Sequence, residues 1–355
     1  MNSLASDLDR ILAHTEGLWE ELRGSRIFIT GGTGFIGCWL MESFNWANDR
    51  LGLGASTTVL TRNPEAFRRK MSHLAAAASI RLHPGDVRSF TFPEGDFSHI
   101  IHAATESSTD MNKLDPLRML DTIVEGTRRT LDFAVHCGAK KLLLTSSGAV
   151  YGRQPAQMTH IPETYMGAPD TTSASSAYGE GKRVAELLCA IYHKQYHIET
   201  KIARCFAFVG AHLPLDAHFA IGNFIRDTLE EKIIQVKGDG SPYRSYLSAP
   251  DLMVWLWTIL IKGEACRPYN VGSEDDLTIG QLASLVVDSL GSAHGVCIGR
   301  QADAGAVPER YVPATARARS ELGLINSTPL SKAIQSTANW RRSRKKADEI
   351  RGGPQ

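Results

Sequence analysis

Residues 30–37 read "TGGTGFIG" and place Gly31, Gly34 and Gly37 at a regular spacing. The loop follows "RIFIT" at 26–30, which is typical of a buried strand, and precedes "CWLMESFNWA", which is typical of a helix. A tight turn and a close backbone approach both favour residues without a Cβ, and a helix N-terminus offers free N–H groups to an anion. The stretch therefore predicts a strand–loop–helix unit that cradles the pyrophosphate of a dinucleotide.

Alternating strands and helices continue beyond this loop. Further strands are predicted at 57–62, 79–86, 99–105 and 140–147, and 115–137 has helical periodicity. Alternation over roughly the first 210 residues predicts a parallel sheet covered by helices on both faces. The expected fold class is α/β, with a doubly wound parallel sheet and a second, smaller lobe.

Changes in apolar spacing and residue composition divide the chain into four segments. Apolar spacing predicts that residues 1–23 form an amphipathic N-terminal helix that packs on the main body. Residues 24–210 are expected to form the dinucleotide-binding domain. Frequent prolines then indicate a smaller lobe at 211–340, partly interleaved with the sheet. The run "RRSRKK" predicts a basic, disordered tail at 341–355.

Composition excludes several classes of function. The 355 residues carry 39 basic and 38 acidic side chains, so no basic field indicates nucleic acid as a partner. Six cysteines without any C-x-x-C spacing are expected to be free and mostly buried, and no metal site is predicted. The longest apolar run, at 252–261, is about half the length that a bilayer requires. We expect a soluble, cytoplasmic protein without a membrane partner.

Two later motifs carry hydroxyl and amine groups that suit hydride transfer. "TSSGAVYG" at 145–152 ends a predicted strand, and "YGEGK" at 178–182 opens a helix that places Tyr178 and Lys182 on one face. An ammonium group and a positively charged nicotinamide would both lower the pKa of a neighbouring phenol. A hydroxyl such as Ser147 would share the hydrogen bond to the reacting oxygen of the substrate.

The end of the second strand bears on the choice of cofactor. An acidic residue there suits the free ribose of NAD, whereas an arginine suits the additional phosphate of NADP. This segment contains Thr61 and Arg62 and no acid, which favours NADP, with NAD as the alternative if Arg62 only stacks on the adenine. Asp86, in "GDV" after the third strand, is expected at the adenine ring.

These motifs together resemble the extended short-chain dehydrogenase/reductase family. "TGGTGFIG", "GDV", "HAAT", "TSSGAVYG" and "YGEGK" occur in its order, most similar to its NAD-dependent epimerase/dehydratase branch, which acts on nucleotide sugars. "ARCFAFVG" at 203–210, "GDGSPYRSYLSAPDL" at 238–252, "YNVGS" at 269–273 and "RYVPATARARSELGL" at 310–324 extend the similarity. The resemblance covers residues from about 24 to 340.

The resemblance implies a Rossmann-type fold with a C-terminal substrate-binding lobe, and it assigns roles to particular residues. Ser147, Tyr178 and Lys182 match the catalytic triad. The cofactor-binding set is Gly31, Thr33, Gly34, Phe35, Ile36, Gly37, Arg62, Asp86, Val87, Ala103, Ala104, Tyr178 and Lys182. The residues expected at the nucleotide-diphosphate sugar are Asn223, Arg244, Thr105 and Arg310. A homodimer is implied through the helix that carries Val184, Leu187, Leu188 and Ile191.

Departures from the family pattern narrow the reaction. Dehydratases of the family place an Asp-Glu pair directly after the catalytic hydroxyl, and decarboxylases usually keep a Glu there, but this chain has Gly148 and Ala149. Ile123 stands where many members carry an Asn. Glu106, in "HAATESSTD", is either a relocated acid or base or a residue that only supports nearby loops.

We therefore expect hydride transfer at C4 of a nucleotide sugar, as a 4-epimerase or a 4-ketoreductase. One alternative is a 4,6-dehydratase that uses Glu106 or a residue of the lobe. A second is a non-catalytic sensor or scaffold that binds a dinucleotide.

Overall fold

The computed structural model describes residues 3–105, 109–217, 219–301 and 305–351. The described strands are β1 (Arg26–Thr30), β2 (Ser56–Thr61), β3 (Ile80–Pro84), β4 (His99–His102), β5 (Lys141–Ser147), β6 (Glu199–Cys205), β7 (Phe208–Val209), β8 (Ile234–Val236), β9 (Tyr243–Ser245), β10 (Leu247–Ser248), β11 (Pro268–Val271), β12 (Asp276–Thr278), β13 (Val296–Ile298) and β14 (Arg310–Tyr311). The described α-helices are α1 (Ala5–His14), α2 (Phe35–Leu51), α3 (Pro64–Lys70), α4 (Ser72–Ala75), α5 (Thr109–Leu114), α6 (Pro116–His136), α7 (Ala177–Tyr196), α8 (Ala220–Leu229), α9 (Ala249–Lys262), α10 (Ile279–Leu290), α11 (Ala316–Leu322) and α12 (Leu330–Arg351).

Seven of these strands form one parallel sheet in the order β11-β6-β5-β4-β1-β2-β3. The chain runs outward from β1 through β2 to β3, and then returns to β4 on the other side of β1. This reversal confirms the predicted doubly wound α/β fold. It also opens a crevice at the carboxyl ends of β1 and β4, where such sheets bind their ligands.

Apolar side chains cover both faces of the sheet, because successive residues of a strand point to opposite sides. Ile27 and Ile29 of β1 belong to a core with α2 and α9, whereas Phe28 packs in a second core with α6 and α7. Strands buried on both faces explain the nearly continuous apolar runs of the sequence.

The N-terminal segment packs on the first of these cores. Leu8 and Ile11 of α1 are buried, and the helix contacts α2 and α9. It is shorter than the predicted amphipathic segment, because Thr15 caps its C-terminus and Gly17 has a φ of +82°. A short 3₁₀ turn then buries Trp19 and Leu22.

The C-terminal part of the chain returns to the sheet before completing the lobe. Strand β11 joins the large sheet and helix α9 packs on it, while β9 pairs with β12 and β14 in a separate three-stranded sheet. The lobe has its own core, built mainly from α8, α10, α12 and their neighbouring strands. The described helices include none that is long and apolar enough to cross a membrane.

The disordered tail predicted at 341–355 requires a correction. Helix α12 continues as far as Arg351, so residues 341–351 are helical. Ile334 and Ala338 anchor the helix in the lobe core, and Arg344 donates a hydrogen bond of 2.8 Å to the Lys70 carbonyl. The charge run is thus the solvated continuation of an anchored helix.

Candidate functional site

The glycine loop closes tightly on the neighbouring strand. Gly31 has a φ of +71°, and a Cβ on it would lie 2.4 Å from the Ala103 carbonyl. A Cβ on Gly37 would lie 2.3 Å from the Gly31 carbonyl oxygen. Both positions therefore require glycine for packing within the protein itself.

Gly34 requires a different explanation. It precedes α2 with a φ of −83°, and the described atoms within 4 Å of an added Cβ are limited to the Gly31 carbonyl oxygen at 3.5 Å. Neither backbone strain nor crowding within the described protein demands glycine here. A ligand phosphate that approaches the helix N-terminus closely accounts for it, so the loop fits a dinucleotide.

A buried histidine fixes the strands below the loop. His102 Nδ1 lies 2.7 Å from the Thr30 hydroxyl, and His102 Nε2 lies 3.1 Å from the Thr127 hydroxyl. The Thr30 hydroxyl also accepts a 3.2 Å hydrogen bond from the Ala104 amide. Burial lowers the pKa of His102 to about 3, so the ring is neutral and serves as a structural connector.

The strand end at 145–147 presents its hydroxyls in different directions. Thr145 donates to the His102 carbonyl at 3.2 Å, and Ser146 donates to Glu186, which also pairs with Arg204. Ser147 lines a cavity and accepts a 3.1 Å hydrogen bond from the Ala149 amide. Ser147 is therefore the hydroxyl of this stretch that is best placed to meet a substrate.

Tyr178 and Lys182 reach the same cavity from α7. The buried Lys182 donates hydrogen bonds to the Thr105 hydroxyl at 2.7 Å and to the Thr145 carbonyl at 2.8 Å. Its Nζ lies 6.0 Å from the centre of the Tyr178 ring. Thr105 and Thr145, which are both distant from α7 in the sequence, thus hold the Lys182 ammonium group near the Tyr178 ring.

Burial dominates the electrostatics of this pair. It raises the pKa of Tyr178, although the interaction with Ser147 acts in the opposite direction. It lowers the pKa of Lys182 to about 8. The expected lowering of the phenol pKa is therefore not found in the protein alone, because the loss of hydration on burial is the largest influence on Tyr178.

One cavity of about 950 Å³ connects the glycine loop to these groups. All residues of the predicted cofactor-binding set line it, and so do Ser147, Thr105 and Arg244. At its far end Arg62 lies beside Asp86, which accepts a 2.9 Å hydrogen bond from Arg88 Nε. The same cavity thus extends from the glycine loop and Arg62 to Ser147 and Tyr178.

Comparison with known proteins assigns the chain to a family. The family described as "NAD dependent epimerase/dehydratase family" matches residues 27–272, which include the whole glycine loop and Ser147, Tyr178 and Lys182. The chain belongs to the NAD-dependent epimerase/dehydratase family. Within this family it is 32% identical over 269 residues to UDP-glucuronic acid decarboxylase 2 of Arabidopsis thaliana. The match covers 76% of this chain and 58% of the plant protein, so it spans less than two thirds of that relative.

Solved structures show the same fold at lower identity. A UDP-glucose 4-epimerase from Thermotoga maritima, determined with UDP-glucose, has a TM-score of 0.76 at 19% identity and covers 90% of this chain and 99% of its own. A dTDP-glucose 4,6-dehydratase from Streptomyces venezuelae, determined with NAD, has a TM-score of 0.75 at 24% identity. That similarity covers 91% of this chain and 98% of the dehydratase.

Of the residues expected to bind the substrate, some line the cavity and others do not. Arg244 lines the cavity, where its guanidinium donates to Glu309 at 2.7 Å and to the Tyr243 carbonyl at 2.8 Å. Arg310 instead pairs with Asp276 at 2.6 Å and stacks 3.8 Å from the Tyr243 ring centre.

Asn223 and Arg310 are not among the described residues that line the cavity. Asn223 Oδ1 accepts a 3.3 Å hydrogen bond from Arg226. Glu106 lies outside the residues that the structure describes. Within the described part of the chain, no cluster of three or more His, Cys, Asp or Glu side chains is arranged to hold a metal ion.

Sequence reasoning missed two aromatic residues at the reacting end. Phe206 and Tyr311 both line the cavity, and their ring centres are 4.7 Å apart. Phe206 follows β6 within "ARCFAFVG", and Tyr311 lies in "RYVP", so both were inside motifs already recognised. No pattern in the sequence indicates that these two segments meet beside Ser147.

Proposed function

We propose that this protein transfers a hydride at C4 of a nucleotide-diphosphate sugar and leaves the carbon skeleton of the sugar intact. The activity would be that of a 4-epimerase or a 4-ketoreductase. The observation that carries the proposal is the convergence of Ser147, Tyr178 and Lys182 on one cavity, together with the absence of a titratable side chain at Gly148 and Ala149.

The three side chains would divide the proton chemistry between them. In the oxidising direction Tyr178, as the phenolate, takes the proton of the C4 hydroxyl, while Ser147 donates a hydrogen bond to that oxygen. When bound, NAD(P)⁺ would accept the hydride released as the C4–H bond breaks, and its positive charge would favour the phenolate. Lys182 stabilises the same phenolate through its ammonium group.

Arginine at the adenosine end of the cavity supports NADP as the cofactor. Arg62 and Arg88 both line this end, and Arg88 is partly neutralised by Asp86. Measured affinities for the two cofactors test the proposal. We expect Arg62→Ala to weaken NADP binding about tenfold and to leave NAD binding unchanged. A wild-type preference for NAD of tenfold or more would overturn it.

A decarboxylase is the second candidate, favoured by the similarity to UDP-glucuronic acid decarboxylases. That reaction removes C6 as carbon dioxide after oxidation at C4, so it would begin with the same hydride transfer. The small side chains at 148 and 149 leave it without the acidic residue that this resemblance leads us to expect there.

The reaction is tested by incubating the protein with UDP-, dTDP-, CDP- and GDP-sugars, UDP-glucuronate included, and with both cofactors. Products are followed by mass and by proton NMR. Inverted C4 coupling at unchanged mass supports epimerisation, and a gain of two hydrogens from a 4-keto sugar supports reduction. Loss of carbon dioxide would establish the decarboxylase, and loss of water the dehydratase.

A protein that binds cofactor but converts none of these sugars would instead support the sensor or scaffold alternative. Tyr178→Phe provides the control, because it removes only the hydroxyl. It should abolish turnover and preserve cofactor binding.

We further propose that the protein forms a homodimer through α6 and α7, which pack against each other. Leu187 is 59% exposed and Leu117 is 72% exposed, while Val184 and Ile191 also face solvent. Leu188 is instead half-buried against the core. Exposed apolar side chains on two adjacent helices suit a four-helix contact with a second copy.

A further inference from the structure

Helix α7 begins with a first turn that is weak by itself. Ser176, the residue before the helix, donates its hydroxyl to the Asp170 carbonyl at 2.6 Å and makes no side-chain cap to the amides of α7. Gly179 and Gly181 follow in the first turns of the helix, and glycine disfavours helix. Because the first amides of a helix also lack partners within it, the turn that carries Tyr178 depends on support from another element.

Packing prevents both glycines from being replaced by better helix formers. A Cβ on Gly179 would lie 2.8 Å from the Ala149 carbonyl oxygen, and a Cβ on Gly181 would lie 3.2 Å from the Ile123 side chain. The close approach of these neighbours therefore fixes the low helix propensity of this turn. Its stability has to come from contacts outside the helix.

Asn112 of α5 supplies such a contact. Its Oδ1 accepts a 3.2 Å hydrogen bond from the Tyr178 amide, and its Nδ2 donates to the Ser175 carbonyl at 2.8 Å. A carboxamide can accept and donate in this way at the same time. Ser175 lies in the short 3₁₀ turn Ala174–Ser176, which contacts α5 and leads into α7. One side chain therefore joins the turn before α7 to the second residue of the helix.

The chain near Asn112 also holds Lys182. The Thr105 hydroxyl accepts a 2.7 Å hydrogen bond from Lys182 Nζ. Thr105, Asn112, Tyr178 and Lys182 all line the same cavity. The segment that contains Thr105 and Asn112 is thus bonded to α7 at the Tyr178 backbone and at the Lys182 ammonium group.

We propose that Asn112 is a positioning residue for Tyr178, which fixes the first turn of α7 and thereby holds the phenol beside Ser147. This inference rests on the proposed function for the role of Tyr178 in hydride transfer. Asn112 acts through the Tyr178 backbone and not on the sugar. Its removal should therefore slow the chemical step and leave the affinity for the sugar nearly unchanged.

Asn112→Ala removes both hydrogen bonds and tests this inference. With saturating cofactor and a nucleotide sugar that the wild type converts, we expect kcat to fall about tenfold at nearly unchanged KM. Hydrogen–deuterium exchange measured by mass spectrometry should be about tenfold faster for the amides at 177–182. Exchange in the central strands β4 and β5 should be unchanged, which shows that the variant is folded.

Asn63→Ala is the matched control. Asn63 Oδ1 accepts a 2.9 Å hydrogen bond from the Ala66 amide at the start of α3, so this variant removes an asparagine cap of the same kind from another helix. It should change neither kcat nor the exchange at 177–182. Asn112→Asp provides the rescue, because a carboxylate still accepts from the Tyr178 amide and suits a helix N-terminus. Its kcat and its exchange at 177–182 should lie closer to wild type than those of Asn112→Ala.

The outcomes separate this inference from the proposed function. An unchanged kcat in Asn112→Ala, a loss that appears in KM and not in kcat, or an equal loss in Asn63→Ala would each overturn it. A wild type that transfers no hydride to or from any of the sugars refutes the proposed function instead. Exchange then decides the role of Asn112: faster exchange at 177–182 in Asn112→Ala alone supports it, and unchanged exchange overturns it.

Discussion

Lys182 is the residue whose environment most directly links the structure to a measurable property. Its ammonium group is buried and held by Thr105 and by the Thr145 carbonyl. Removal from water disfavours the charged form, which is why its pKa falls to about 8 from the ordinary value of 10.5. The group is therefore charged below pH 8 and loses its proton as the pH rises above that value.

The rate of hydride transfer should reflect this titration. We expect kcat/KM to decrease as the pH rises through about 8, because neutral Lys182 no longer stabilises the Tyr178 phenolate. Lys182→Arg, which stays protonated over this range, should lower the rate but remove this decrease. Rates measured from about pH 6 to 10 test the assignment, and an unaltered decrease in Lys182→Arg would contradict it.

Residues of the site could be predicted from the sequence where all members of a motif lie within one short segment. The glycines and the Tyr178–Lys182 pair lie within single short segments, so spacing alone placed them in the cavity. Asn223 and Arg310 were assigned by resemblance; Asn223 accepts a hydrogen bond from Arg226 and Arg310 pairs with Asp276, and their role at the substrate stays a prediction. Tyr311 was missed because its neighbours Ser147 and Phe206 come from other elements.

Within the glycine loop, two glycines are required for different reasons, one for packing within the protein and the other for ligand binding. Gly37 is fixed by contacts within the protein, whereas a Cβ on Gly34 would make only an ordinary van der Waals contact of 3.5 Å with the Gly31 carbonyl oxygen. A single substitution at each position therefore distinguishes folding from ligand binding. The helix N-terminus at α2 connects them, because it both packs on the loop and faces the cavity.

We expect Gly34→Ala to fold normally and to bind NAD(P) at least tenfold more weakly, because the methyl group occupies the approach of the phosphates. Gly37→Ala should lower the free energy of unfolding as well, since its Cβ meets backbone atoms at 2.3 Å. Chemical denaturation and cofactor titration of both variants provide the measurements. Equal free energies of unfolding for Gly34→Ala and Gly37→Ala would contradict this distinction between ligand binding and folding.

Helix α12 is the element for which charge in the sequence was misleading. Its basic half is exposed, but its first half contributes the buried Ile334 and Ala338. We expect Ile334→Ala to lower the free energy of unfolding by about 2–4 kcal/mol through loss of buried contacts. Arg342→Ala, on the exposed side, should change it by less than about 0.5 kcal/mol. Similar small effects in both would indicate that the helix is not anchored.

The sheet elements were predicted with more success than those of the lobe. The central strands are continuous buried apolar runs and α6 has apolar side chains at a helical spacing, so both patterns are visible within short windows of sequence. Strands β9, β12 and β14 have two or three residues each and are held by pairing with distant segments. Such short strands carry no period of their own, and only the assembled lobe defines them.

For the molecule as a whole, the proposed dimer places α6 and α7 of two copies against each other. Helix α7 carries Tyr178 and Lys182, and both helices cover the second core, so the contact would support the proposed active site from behind. Gly181 of α7 lies close to Ile123 of α6, where a Cβ would be 3.2 Å away, and this lets the two helices approach closely. The helix pair therefore forms a rigid surface for a partner.

We expect Leu187→Glu to convert the dimer to a monomer, because a charge would be buried at the centre of the four-helix contact. Ile325→Glu is the matched control, since Ile325 has the same 59% exposure as Leu187 and lies on the lobe. Light scattering after size exclusion measures the mass. A wild-type monomer, or a dimer that survives Leu187→Glu, would contradict this interface.

In the proposed site as a whole, Ser147, Tyr178 and Lys182 would carry out redox chemistry without an adjacent acid–base pair. The most direct measurement follows nucleotide sugars that carry deuterium at C4, UDP-glucuronate among them, by mass and NMR with both cofactors. Hydride transfer at C4 predicts that the deuterium is transferred to the cofactor or returned to C4 on the opposite face. Every carbon and oxygen of the sugar is then retained. A product that has lost carbon dioxide or water would contradict it.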